Sequence, residues 1–324
     1  MGLNLIKNYN KLKHQEIFGL NKLHINYMYT KKWDNEENIP YVLKTHLLDS
    51  YYCLPERPDM AFTFLWKCMN NIYSTYQRKN STDDTRNSIS DSALLEFISK
   101  GIFLKLNDKL MYSDKEYTLK DIIKSYINDI PQKVLNFVSN YILKSYVIDQ
   151  KLTDKRYISS SYKTFRTRFP IIHEALLKTY GNSFLDICNP KIVNYEVVFD
   201  IKEENLQKSK DIKRSLSESL KKLLLGNEIE LTNKNNTKYN VKIDNDEEFI
   251  KFIIFNILYA IRNNTLHGKI ASRLNSKTAN GKSFRASKYI YLLGYMFLSI
   301  MLYVSNELEL NDLSFNFENI KYLK

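Results

Sequence analysis

Between Met60 and Ile72 apolar side chains return every three or four residues: Met60, Phe64, Cys68 and Ile72, with Ala61, Leu65, Trp66 and Met69 beside them. An α-helix gathers those positions into one stripe, whereas a strand would scatter them over both faces. The chain turns at 55–58, Asp59 is a suitable N-cap, and the pattern runs to about Arg78. The same period returns over 93–104, 119–128 and 132–148. With only 8 Gly and 6 Pro in 324 residues, few breakers interrupt these runs, so the expected fold class is mainly α. Residues 3–30 carry apolar positions at mixed spacing and predict a helix or two.

Further along, Pro170 opens a helix that Gly181 is expected to close near Tyr180, and Leu206–Leu225 is expected to end at Gly226. Lys191–Ile201 alternates apolar and polar residues and reads as one strand. Glu228–Leu231 and Tyr239–Ile243, joined by the polar TNKNNTK turn, read as a hairpin. Together these make a small α+β patch in an otherwise helical chain. The acids at 244–247 cap a helix reaching Ile261, and 283–305 is the last long helix. Its most apolar part, 289–304, is 16 residues long, short of the about 20 needed to span a bilayer, so a buried helix and no membrane partner are expected.

The formal charge of +12 predicts attraction to polyanions, and it is unevenly placed. From Phe249 to Asn306 there is no Asp or Glu, yet those 58 residues hold eight Lys and Arg, Lys269, Arg273, Lys277, Lys282 and Arg285 among them. These five are read as cations for RNA phosphates. Lys151–Phe169 mixes Arg156, Lys163 and Arg166 with Tyr157, Tyr162, Phe165 and Phe169. That mixture suits single-stranded nucleic acid, and suits equally a solvated turn whose rings fill a local core. The three cysteines, Cys53, Cys68 and Cys188, are odd in number and far apart, which is the pattern of reduced thiols; with no secretory signal at the start, a cytoplasmic location is expected. The histidines other than His267 are scattered without carboxylates at ligand spacing, so neither a metal nor another cofactor is expected.

Within the acid-free segment lies Arg262-Asn263-Asn264-Thr265-Leu266-His267, at the end of an apolar helix and followed by Gly268. An arginine offers a permanent planar donor fork for phosphate oxygens, and a histidine moves protons near neutral pH. Taken singly, Arg262 could be a helix-end cation and the Asn-Asn-Gly composition a C-terminal turn. A second arginine and histidine share the spacing, Arg168 and His173, but a proline interrupts them and coincidence is the favoured reading.

The RNNTLH string resembles the R-polar-x-x-x-H motif of the HEPN superfamily, whose members are helical ribonucleases and RNA-binding domains. The matched positions are Arg262, Asn263 and His267; the family often has a polar residue upstream, for which Asn256 is the nearest candidate. The resemblance implies a HEPN-like helical bundle from 59–79 and 246–306, preceded by a helical segment at 1–58. It leaves 80–245 as an insertion, helical over 93–180 and α+β over 191–243, and 307–324 as a tail. It also implies a metal-independent endoribonuclease in which the ribose 2′-OH attacks its own phosphate, leaving a 2′,3′-cyclic phosphate. Arg262 would then stabilise the phosphorane and His267 act as acid or base, with Asn263 orienting the histidine or holding the phosphate. The family context suggests a homodimer sharing one cleft, a toxin or anti-phage abortive-infection role, and control by an antitoxin or regulatory protein. The rival expectation is a non-catalytic HEPN-type RNA- or protein-binding scaffold.

Overall fold

A computed structural model describes residues 23–80, 90–266, 274 and 280–323 of the chain. It is 69% helix and 9% strand, which agrees with the mainly α expectation. The chain divides into two compact units: the described residues of Met1–Pro131 with those of Asn264–Lys324, and Gln132–Asn263.

The first unit is built on Pro58–Asn80 packed against Gly281–Val304, with Tyr41–Tyr52 packed on Pro58–Asn80 as well and reaching Gly281–Val304 through Ser50 and Tyr51. Pro58 occupies the first helical turn, where its missing N–H costs nothing, so Asp59 lies inside the helix and not at its cap; Arg57 holds it at 2.9 Å. The helix Gly281–Val304 begins two residues earlier than expected because Asn280 and Ser283 form a reciprocal capping box. At 24 residues it is long and apolar enough to cross a membrane by length and composition, yet 89% of its most apolar window is buried. Such burial is that of a core helix. Gly294 permits its close approach: a Cβ there would lie 2.9 Å from the Phe62 ring.

Tyrosine supplies much of this core. Tyr295 is fully buried, its hydroxyl 2.6 Å from the Tyr51 hydroxyl and accepting from the Met28 N–H at 2.7 Å. Those bonds fix residues 23–30 to the unit without the helix expected there. Asn319 pairs with both backbone groups of Asn26, and Asn316 donates to Ser299 at 3.1 Å, so the expected tail at 307–324 is packed structure. Residues 91–131 also belong to this unit, where an insertion was expected. They include a hairpin the sequence did not announce, Lys109–Tyr112 with Lys115–Thr118, turned by Ser113 and Asp114 at positive φ.

In the second unit Gln132–Lys151 packs on Leu206–Leu224, which stops just before Gly226 (φ +83°) as expected. Gly181 does not act in that way. Its φ is −64°, the helix passes through a π turn at Leu177–Gly181 and continues to Leu185, and a Cβ would lie 2.9 Å from the Tyr146 ring. It is glycine for close packing. The single strand expected at 191–201 is a hairpin, Asn189–Val193 with Glu196–Asp200, reversed at Asn194 and Tyr195, both at positive φ. Asn-Tyr lacks the glycine that marks such turns in sequence. The hairpin Ile229–Thr232 with Lys238–Val241 forms where expected.

The run 246–263 belongs to this second unit, although it was expected to share a core with 59–79. Phe252 explains the difference: it packs against Phe165 and Phe169, ring centroids 6.1 and 5.1 Å away. The expected helices at 3–22 and most of the polar linker, 81–89, lie outside the described residues.

Candidate functional site

Asn245 accepts from the Glu248 N–H at 2.9 Å and starts the helix Asp246–Ile253. A π turn, Ile254–Tyr259, follows before α-helix resumes at Ala260–Leu266. π turns insert an extra residue per turn and recur at functional sites. Here the turn carries Phe255 and Tyr259, rings 6.2 Å apart and edge to face. The Arg262 guanidinium lies 5.8 Å from the Tyr259 ring and that of Arg168 lies 4.2 Å from the Phe255 ring. The arginines of both Arg-x4-His strings therefore sit on adjoining rings. Sequence reading missed those rings, although Phe255, Tyr259 and Arg262 follow i, i+4, i+7 spacing.

Arg262 Nη1 donates to Asn263 Oδ1 at 2.9 Å. Asn263 is 5% exposed, and its Nδ2 donates to Ser160 Oγ at 3.2 Å and Ser161 Oγ at 3.4 Å. Both ends of the amide are thus held by protein side chains, where the sequence offered it as a brace for His267 or a phosphate ligand. It positions the guanidinium. Asn256, in the π turn, is fully buried, and neither atom of its amide has a hydrogen-bond partner among the described residues. His267, Lys269, Arg273 and Lys277 lie outside the described residues.

His173 is packed edge-on against Tyr162 and Phe165, its Nε2 3.0 Å from the Tyr162 hydroxyl. Burial, with the Arg166 charge adding, lowers its pKa to about 4. A ring neutral at pH 7 and tied to the core is poorly placed to donate a proton. The segment 151–169 resolves toward core: Tyr162, Phe165 and Phe169 are buried, Arg156 pairs with Asp154 at 2.7 Å and Arg166 with Asp149 at 2.7 Å. Base stacking on those three rings is excluded by their burial; Lys163 remains exposed.

In the first unit, Lys282 and Arg285 are exposed in the opening turns of Gly281–Val304, where the first turn holds no acid. Lys288 follows one turn on, its pKa lowered by burial and then by Arg285. Cations at a helix N-terminus oppose the helix dipole, an arrangement a bound polyanion would relieve.

No protein-family model, curated protein or solved structure matches the chain.

Proposed function

We propose that the chain is an endoribonuclease of HEPN type that cleaves RNA by attack of the ribose 2′-OH on the adjacent phosphate. The observation that carries this reading is the seating of Arg262: one face over Tyr259, one nitrogen fixed by Asn263, and Asn263 itself anchored by two serines. A guanidinium held before the substrate arrives can stabilise the charge growing on the phosphorane without reorganising. His267, five residues on, would pass the proton from the 2′-OH or to the departing 5′-oxygen. One histidine supplies one of the two proton transfers, so a second copy of the chain is proposed to complete the cleft. The exposed Lys282 and Arg285 are proposed, separately, as contacts for RNA phosphates. In this reading the protein is a cytoplasmic toxin or anti-phage effector, restrained by a partner protein.

The test uses purified protein and total RNA in EDTA, comparing wild type with Arg262→Ala, His267→Ala and His173→Ala. Fragments ending in 2′,3′-cyclic phosphate are expected from wild type and His173→Ala and are expected to be lost from the other two. Equal cleavage by Arg262→Ala and His267→Ala would overturn the proposal. RNA binding with no cleavage by any form would favour the scaffold reading.

A further inference from the structure

Three lysines of the second unit converge where no acid answers them. Lys144 and Lys151 are seven residues apart on Gln132–Lys151, hence on one face, and Leu206–Leu224 packed alongside brings up Lys213. Lys151 Nζ donates to the Cys188 carbonyl and to Asn189 Oδ1, both at 2.8 Å, which ties the helix end to the hairpin. Lys144 Nζ lies 4.6 Å from the Phe199 ring and Lys213 Nζ 5.2 Å from the Phe184 ring. All three ammonium groups lie within electrostatic range of Cys188. Among the described residues neither Lys144 nor Lys213 has a carboxylate at salt-bridge distance. Asp200, which acts on Cys188 electrostatically, is exposed and faces Lys191 at 3.5 Å.

Half-buried ammonium groups repel one another and lose hydration, and aromatic rings return only part of that cost. The strain is visible in their titration: burial holds Lys144 and Lys213 below the usual lysine range, and for Lys213 the Lys144 charge adds to it. Burial also raises the Cys188 thiol, so it does not serve as the missing anion. We infer that Lys144, Lys151 and Lys213 form an anion site that takes a phosphate group. Three point charges around one compact group suit a phosphate better than a single carboxylate. The inference does not rest on the ribonuclease reading; the group is carried either by RNA or by a free phosphate compound.

The full-length protein is titrated at constant ionic strength with inorganic phosphate, with AMP and with a labelled single-stranded RNA. Wild type is compared with Lys144→Gln/Lys213→Gln and Lys144→Arg/Lys213→Arg. Phosphate binding is expected in wild type, weakened about tenfold or more in the Gln pair and retained in the Arg pair. If RNA supplies the group, the Gln pair also binds RNA more weakly and its salt dependence falls by about two charges. If a free compound supplies it, phosphate or AMP binding is lost while RNA binding is unchanged. Circular dichroism checks folding, and Lys213→Gln alone replaces a Gln pair that fails it. No phosphate or AMP binding by wild type, or equal binding by wild type and the Gln form, overturns the inference.

Discussion

Replacing Asn256 with leucine should make the protein more stable and less active. The amide is fully buried in the π turn before Arg262, and neither its Nδ2 nor its Oδ1 is hydrogen-bonded among the described residues. An unpaired buried polar group costs roughly 1–3 kcal/mol. Leucine keeps the branching at Cγ and removes that cost, but two methyl groups are bulkier than the amide and packing strain offsets part of the gain. A net gain of about 1–2 kcal/mol follows. Because the second unit spans 132–263, this corresponds to a Tm rise of roughly 3–8 °C by calorimetry. Asn256→Ala serves as control, since it removes the amide without overfilling the site. In RNA cleavage, Asn256→Leu is expected to lower kcat, as a polar group kept at a cost in stability marks a functional position. Destabilisation of both variants by more than about 2 kcal/mol would refute this, for it would mean the amide is satisfied in the folded protein.

Two further outcomes follow from the second unit. Gly181→Ala should destabilise by about 1 kcal/mol net, the clash of the new Cβ with the Tyr146 ring exceeding alanine's helix preference; a rise in Tm would show that preference winning. Acid should weaken the protein through His173, whose pKa falls from 6.5 unfolded to about 4 folded. Between those limits the unfolded chain binds the proton and the folded one does not, so this stabilisation is complete above about pH 6.5 and lost as pH falls toward 4. The full shift would amount to about 3 kcal/mol, which the partial exposure of the ring reduces to roughly 1–2 kcal/mol. Denaturant melts across that window should show His173→Gln with a flatter acid limb than wild type; parallel limbs would contradict the assignment.

Sequence alone determined the features that depend on near neighbours. The helix 119–128 was legible to the residue, Pro58–Asn80 and Gln132–Lys151 nearly so, and the stop at Gly226 was visible as well, because the 3.6-residue period and the cap residues are written locally. Arg262 and Asn263 were also legible as a pair of interest. Tertiary structure decided what each side chain is for. Tyr162, which could have stacked on bases, is core, its hydroxyl 3.0 Å from His173 Nε2, and Tyr295 is held by Tyr51 and the Met28 N–H, both more than two hundred residues away in the chain. Asn263 grips a guanidinium and not a phosphate because Ser160 and Ser161 reach it from a helix a hundred residues upstream. Lys144 and Lys213 carry no signal in the chain at all, since an uncompensated charge is defined by what surrounds it in space. Periodicity encodes which face is buried; only packing settles which atoms meet there.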